Sequence, residues 1–431
     1  MNRLSRYTFD YAFRVLLVIL PFMTVLSVFT RERLWISWFS FIKECVLISL
    51  IATIGYYHFV WIKKIQWTKY DLAIALYIIV MVFISFFTTG IPGILYGWKY
   101  DFTFLIAFFS IYHGYSFLER RPSYYIRLFL ISGGCMLFIS MLLKWPLSED
   151  LLLYLGYSGN PSNWQFGSSI PIFHGVDGAN VRRFQGLLDG PNTMGAFLLL
   201  YLGMLVYFFR SKKQWFFILG CVVLVIVTLI LYTYSRSAAL GLIGWVWIII
   251  LFSLRDIYKK YRIQFISIII LGILILWGIF IQYAGNMRAI IERWWSTNGH
   301  KERMKVWIER FIDHPFGQGL ASAGPAYRYL QNLENIDRKD IEEKDRYYIP
   351  ESWYIQQMIE WGILGILAFL GILILIFVRL FHIHIVLVGT FLSVCIMNLF
   401  LHTFESSVVS LSLFLLLWLI VAHSYKVHDP K

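Results

Sequence analysis

Apolar runs of about 20 residues recur from one end of this chain to the other, the length that crosses a hydrocarbon layer as a helix. Backbone inside hydrocarbon must satisfy its own hydrogen bonds, so such runs fold as helices packed on helices. Hydrophobic residues make up 59% of the 431, and the mean hydropathy is +0.66. That is more apolar surface than a soluble domain buries, and it predicts an all-α polytopic membrane protein, one transmembrane domain over residues 1–431. About 12 spans are expected, at 11–29, 36–58, 71–89, 101–118, 124–143, 192–209, 215–234, 237–254, 264–284, 353–378, 384–402 and 406–424. Lys43 and Glu44 stand inside the second, where such a pair faces the bundle interior or an interface. No small-residue cleavage site follows Tyr11–Phe29, so no removable signal peptide is expected. Cys45, Cys135, Cys221 and Cys395 lie in apolar runs without metal-ligand spacing and read as small core residues.

The net charge of +13 raises the question of nucleic acid. In a membrane protein it reflects basic cytoplasmic loops, and no nucleic-acid partner is expected. Alternate short loops carry Lys63/Lys64/Lys69, Arg120/Arg121/Arg127, Arg210/Lys212/Lys213 and Arg255/Lys259/Lys260/Arg262. Arg3, Arg6 and Lys426 add to the same side, whereas Arg31 and Arg33 do not fit it. Both termini are thereby expected in the cytoplasm. The two long loops, 144–191 and 285–352, then lie outside, with the Tyr234–Ser237 turn. No ATP is available there, so chemistry on that face must use an already activated substrate. No internal repeat of the kind that builds transporters is evident.

Loop 144–191 begins irregularly and ends in Val181-Arg-Arg-Phe-Gln-Gly-Leu-Leu-Asp-Gly-Pro-Asn-Thr-Met-Gly, with Asn192 as the expected helix cap. Arg182 and Arg183 lie close above the membrane, where paired arginines either snorkel to lipid phosphates or serve a site. In loop 285–352, residues 286–297 and 300–313 are expected to form two helices. Met304, Trp307, Ile308, Phe311 and Ile312 make the apolar stripe of the second, flanked by Arg303 and Arg310. The mixed-charge stretch Glu334–Arg346 reads as a solvated insert, and His300 and His314 as ordinary loop residues. Glu351 stands near a helix start, where a carboxylate is also favoured by the helix dipole alone. Glu360, two turns or more into the following span, requires a partner.

Arg236 sits between two apolar runs joined by a minimal turn. An arginine at a helix centre costs roughly 2.5–3.5 kcal/mol by insertion scales, less near an interface, so an acidic partner, a wet cavity or an anionic ligand is expected there. Arg182/Arg183, Arg236 and Arg303 make three basic points on the outer side, accompanied by Glu351. Arginine binds phosphate bidentately and keeps its charge. A neighbouring carboxylate suits a general base that removes a hydroxyl proton. Together these describe glycosyl transfer from a polyprenyl-diphosphate sugar. The outer loops hold no Asp-x-Asp pair, so neither a metal nor any other cofactor is expected.

The chain resembles the O-antigen ligase / O-antigen polymerase superfamily of bacterial surface-polysaccharide enzymes. The matching stretches are Arg183-Phe-Gln-Gly-Leu-Leu-Asp-Gly-Pro-Asn-Thr-Met-Gly, Thr233-Tyr-Ser-Arg-Ser-Ala-Ala-Leu-Gly-Leu, Arg303-Met-Lys-Val-Trp-Ile-Glu-Arg-Phe-Ile-Asp-His-Pro-Phe-Gly-Gln-Gly, and Glu351-Ser-Trp-Tyr-Ile-Gln-Gln-Met-Ile-Glu-Trp-Gly-Ile-Leu-Gly. The resemblance covers roughly residues 180–370. It implies that Arg236 and Arg303 contact a donor diphosphate and that Arg183 lines the same cavity. Arg182, Arg310, Trp307 and Tyr234 are expected to complete the substrate surface. Ligases of this family usually open the last motif with a histidine; Glu351 stands there instead, which favours a polymerase over a ligase. The implied substrates are undecaprenyl-diphosphate-linked glycans as donor and acceptor, in contact with membrane lipids. A chain-length regulator or a flippase is the protein partner to expect. A 12-span transporter is the non-enzymatic alternative, opposed by the missing repeat.

Overall fold

Pro21 removes a backbone donor in the middle of the first apolar run, and the helix answers with one tight turn. Helix α1 (Arg3–Ile19) passes through a 3-10 turn at Leu20–Phe22 into α2 (Met23–Leu34), one 32-residue helical unit. The computed structural model describes residues 3–36, 39, 41–60, 68–159, 170–176, 179–212, 214, 216–257, 294–324, 326–327, 350 and 352–428. The helices that follow are α3 (Ile42–Val60), α4 (Lys69–Phe87), α5 (Gly90–Asp101), α6 (Thr103–Gly114), α7 (Pro122–Lys144) and the single turn α8 (Leu151–Tyr154). Then come α9 (Pro191–Phe209), α10 (Phe216–Tyr232), α11 (Arg236–Ile257), α12 (Trp294–Asp313), α13 (Trp353–Ile383), α14 (Ile385–Met397) and α15 (Ser407–His428).

Among the described residues, seven helical stretches are long and apolar enough to cross a membrane, and three shorter apolar helices, 217–232, 236–251 and 385–397, accompany them. The seven overlap the expected spans 11–29, 36–58, 71–89, 124–143, 192–209, 353–378 and 406–424, the three shorter helices overlap 215–234, 237–254 and 384–402, and 101–118 and 264–284 have no counterpart among them. The latter lies outside the described residues, as does Glu334–Arg346. Around 101–118 the expectation fails: residues 90–100 are helical too, and the pair α5–α6 breaks at Phe102. The two helices expected over 286–313 are likewise one, α12, across the described residues 294–313.

The most apolar stretch of α15 is 83% buried and that of α9 72%, against 33% for α4, so α15 and α9 form the hub and α4 the rim. Phe83, Phe86, Phe87, Leu364 and Leu367 stay exposed on rim helices, the surface a lipid would cover. Of the cysteines only Cys395 is a core residue; Cys45, Cys135 and Cys221 face outward. Lys43 and Glu44 pair with each other at 2.9 Å in the first turn of α3.

Two helix breaks meet inside the bundle. Gly362 interrupts α13 with φ 64°, a left-handed conformation that glycine adopts without cost. The carbonyls of Ile359 and Glu360 freed by the break accept the N–H groups of Gln318 and Gly319, each at 2.8 Å, and Ile363 N donates to Pro315 O at 2.9 Å. The segment after α12 thus replaces the lost helical bonds, as backbone away from water requires. Leu320 N continues it by donating to Ser85 Oγ at 2.8 Å. The carboxylates of Asp101 and Glu360 are fully buried beside this seam. Gln357 Nε2 donates to Asp101 Oδ1 at 3.1 Å. The Glu360 carboxyl faces that of Asp101 and the N–H groups of Ala321 and Ala323, yet both its oxygens lack a hydrogen-bond partner among the described residues, so the partner expected for it is not found there.

Candidate active site

The α10–α11 turn is built for a reversal in the fewest residues. Helix α10 ends at Tyr232, Tyr234 takes a left-handed φ of 50°, and α11 starts at Arg236. Ser235 caps α11: its carbonyl accepts Ala239 N at 3.0 Å and its hydroxyl accepts Ala238 N at 3.4 Å. Helix α9 starts nearby. Gly190 is its cap residue with extended backbone, and Pro191 occupies the first helical position, where the missing N–H has no intrahelical role. Asn192 is therefore not the cap. Its Oδ1 instead accepts Arg183 Nη2 at 2.9 Å.

Arg183 ties these pieces together. Its Nε donates to Thr233 O at 2.8 Å, and Phe184 N donates to Tyr232 O at 2.9 Å, so the segment after the hairpin satisfies the last carbonyls of α10. The hairpin itself pairs β1 (Gly175–Val176) with β2 (Ala179–Arg182) antiparallel. It positions His174, whose carbonyl accepts Arg183 N at 2.9 Å.

Helices α9 and α11 run parallel and in close contact. A Cβ on Gly195 would lie 2.6 Å from Ala238 Cβ, and one on Gly241 2.8 Å from Leu199 Cδ1. Two helix N-termini therefore share one end of the bundle, each presenting first-turn N–H groups and the positive end of its dipole. Arg236 opens one of them with an exposed side chain, and Arg183 reaches the first turn of the other. A cavity of about 220 Å³ adjoins them, lined by His174, Arg183, Asp189, Gly190, Pro191, Asn192 and Thr193. Burial, with help from the Arg183 charge, pushes the His174 imidazole down to about 4, so it is neutral near pH 7. The arrangement suits an anionic group over the two N-termini, beside a polar pocket that offers donors and acceptors to a hydroxylated one.

The remaining expected residues divide. Arg182 points away from Arg183, as successive strand residues do: Nη1 binds Asp150 Oδ1 at 2.6 Å and the guanidinium lies 4.8 Å from the Phe173 ring. It belongs to an exposed ion pair on the hairpin rather than to the cavity. Trp307 is 1% exposed and packs with Phe311, Ala323, Ile355 and Ile359. Arg310 stacks over Trp307 at 4.9 Å and donates from Nε to Gln318 Oε1 at 2.9 Å. This pair thus fixes α12 against the seam and α13, and the indole presents no open face to a substrate. Ile308 and Ile312 of the expected stripe are exposed, so the packed side of α12 is narrower than the stripe. Arg303 lies in α12 one turn before Trp307, with its side chain outside the description. Glu351 lies outside the described residues. Tyr234 is the half-buried hinge of the turn.

The 398–406 loop joins the same end, which the sequence had not singled out. Trp353 N, at the start of α13, donates to the carbonyls of Asn398 and Leu401, both at 3.1 Å. The end of α14 packs on α11, where a Cβ on Gly241 would meet Ser393 O at 2.9 Å and Met397 Cγ at 3.3 Å. His402 and Glu405 follow on this loop. His174, Asp189, Asn192, His402 and Glu405 were not among the expected site residues, and only Asp189 and Asn192 carried a signal, as part of the Asp189-Gly-Pro-Asn run.

No curated protein sequence matches the chain significantly. Residues 221–370, from α10 through the first half of α13, match the family model described as O-antigen ligase. That match, over residues 221–370, supports the resemblance to the O-antigen ligase / O-antigen polymerase superfamily.

Proposed function

We propose that the protein polymerises lipid-linked oligosaccharide repeats, moving a growing glycan from one undecaprenyl diphosphate to the acceptor hydroxyl of another. The observation that carries this reading is the shared end of α9 and α11, where two helix N-termini meet beside Arg183 and Arg236. A departing diphosphate needs such fixed positive charge, here supplied by backbone and guanidinium groups instead of a metal. The acceptor oxygen attacks the anomeric carbon, the bond from that carbon to the diphosphate oxygen breaks, and configuration inverts. Glu351 is the expected base and Arg303 the expected third arm of the clamp. The opposite ends of the helices gather Arg120, Arg210 and Arg379, each over a tyrosine ring. That supports placing the site on the outer face of the membrane by the positive-inside rule.

The test is polymerisation of purified undecaprenyl-diphosphate repeats by detergent-extracted enzyme, with and without EDTA. Polymer formed equally in both supports the reading; polymer lost with EDTA removes its metal-free part. The family description favours a second reading, transfer of finished glycan to lipid A-core or another terminal acceptor. A deletion strain separates the two: loss of a polymerase leaves single repeats on the acceptor, and loss of a ligase leaves long glycan on the carrier lipid.

A further inference from the structure

The 398–406 loop carries a histidine whose surroundings call for a proton-transfer role. His402 Nδ1 stands 3.7 Å from Glu405 Oε1, beyond hydrogen-bond length, and both ring nitrogens are buried without a hydrogen-bond partner among the described residues. The side chains are 12% and 6% exposed, so neither group is solvated as a surface pair would be. A buried imidazole with two unmet nitrogens is costly unless something outside the structure engages it. Glu405 is held in turn: Gln356 Nε2 donates to its Oε1 at 2.6 Å from the second turn of α13. The loop is fixed to the candidate site's end of the bundle by the bonds from Trp353 N, one of them to Leu401, the residue before His402.

We propose that His402 is an acid–base residue of the transfer reaction, oriented by Glu405 as a positioning residue. The inference rests on the glycosyl-transfer reading above and gives His402 the base's role there expected of Glu351. The acceptor O–H bond breaks, and its proton ends on the His402 ring. The acceptor oxygen bonds to the anomeric carbon, and the diphosphate leaves with the electron pair of the broken C–O bond. His402 returns the proton to water before the next cycle. Glu405 compensates the imidazolium formed in between. Long catalytic contacts of this kind tighten when substrates bind.

His402→Ala, Glu405→Gln and wild type would be extracted, checked for monodispersity, and assayed on undecaprenyl-diphosphate repeats across pH. Binding of undecaprenyl diphosphate would be measured separately. Expected for His402→Ala are a kcat loss of about 100-fold or more, unchanged lipid binding, and partial recovery with added imidazole. Glu405→Gln should lower kcat at unchanged KM and move the acid limb of the pH profile. A His402→Ala enzyme near wild-type rate overturns the inference, as does a loss accompanied by failed lipid binding and no imidazole rescue. A wild-type enzyme that transfers nothing overturns the functional reading itself, so the two failures are distinguishable.

Discussion

Gly195 is where helix packing and the proposed anion site meet most directly, and Gly195→Ala tests the link. The added Cβ would sit 2.6 Å from Ala238 Cβ, whereas ordinary contact begins near 3.4 Å. Helices α9 and α11 must therefore part by about 0.8 Å, the difference between those two distances, at the level of their first turns. Overpacking of this size costs about 1–3 kcal/mol of stability. A displacement near 1 Å at a positioned site can cost about 100-fold in rate. Thr233 Oγ1 and Ser235 Cβ, at 3.5 and 3.7 Å from the same point, need not move, so the strain falls on Ala238. Ala238→Gly makes room again. Alone it should lower stability by about 0.5–1 kcal/mol, the cost of glycine in a helix, with little loss of rate. The double variant Gly195→Ala/Ala238→Gly should regain most of the activity lost in Gly195→Ala. Polymer length on gels and initial rates on purified lipid-linked repeats read both effects. A Gly195→Ala enzyme at wild-type rate, or a double variant no better than Gly195→Ala, would refute the claim that the shared N-termini form the anion site.

Other consequences follow from the same geometry. Arg183→Lys keeps the charge but loses the paired bonds to Thr233 O and Asn192 Oδ1, and should lower the rate about tenfold or more, measured as kcat/KM for the donor. Arg236→Ala should abolish chain extension with the protein still in the membrane; normal polymer in a deletion strain would remove Arg236 from the donor site. His174 is held neutral to about 4 while the unfolded chain takes up a proton near 6.5, so its burial penalises the folded state increasingly as pH falls through that window. Thermal melts of His174→Asn should show a smaller loss between those pH values than wild type. Asp101→Asn and Glu360→Gln keep shape while removing an ionisable group from the bundle interior, and should leave the thermal midpoint unchanged or raised; a marked fall would show that the carboxyl itself is structural.

Apolar runs made the helical membrane class plain because hydrocarbon admits few other solutions, and the turn before Arg236 was legible because only three residues separate α10 from α11. The pairing of Arg183 with that turn was not legible. It depends on a hydrogen bond between residues 50 positions apart, and no local pattern encodes such a contact. Arg182 and Arg183 look equivalent in sequence, yet strand alternation sends one to Asp150 and the other to Thr233. Trp307 and Arg310 read as a substrate surface because an amphipathic stripe does not say what covers it; the seam at Gly317–Leu320 and α13 does. The helix over 90–100 was missed because its glycines lower helix propensity, while the close approach of Leu320 to Gly93 and Gly97 requires them. The sequence by itself determined the solvent, the helices and the chemical types available. Tertiary structure alone decided which helix ends share a face and which charges meet there, because those contacts join elements far apart in the chain.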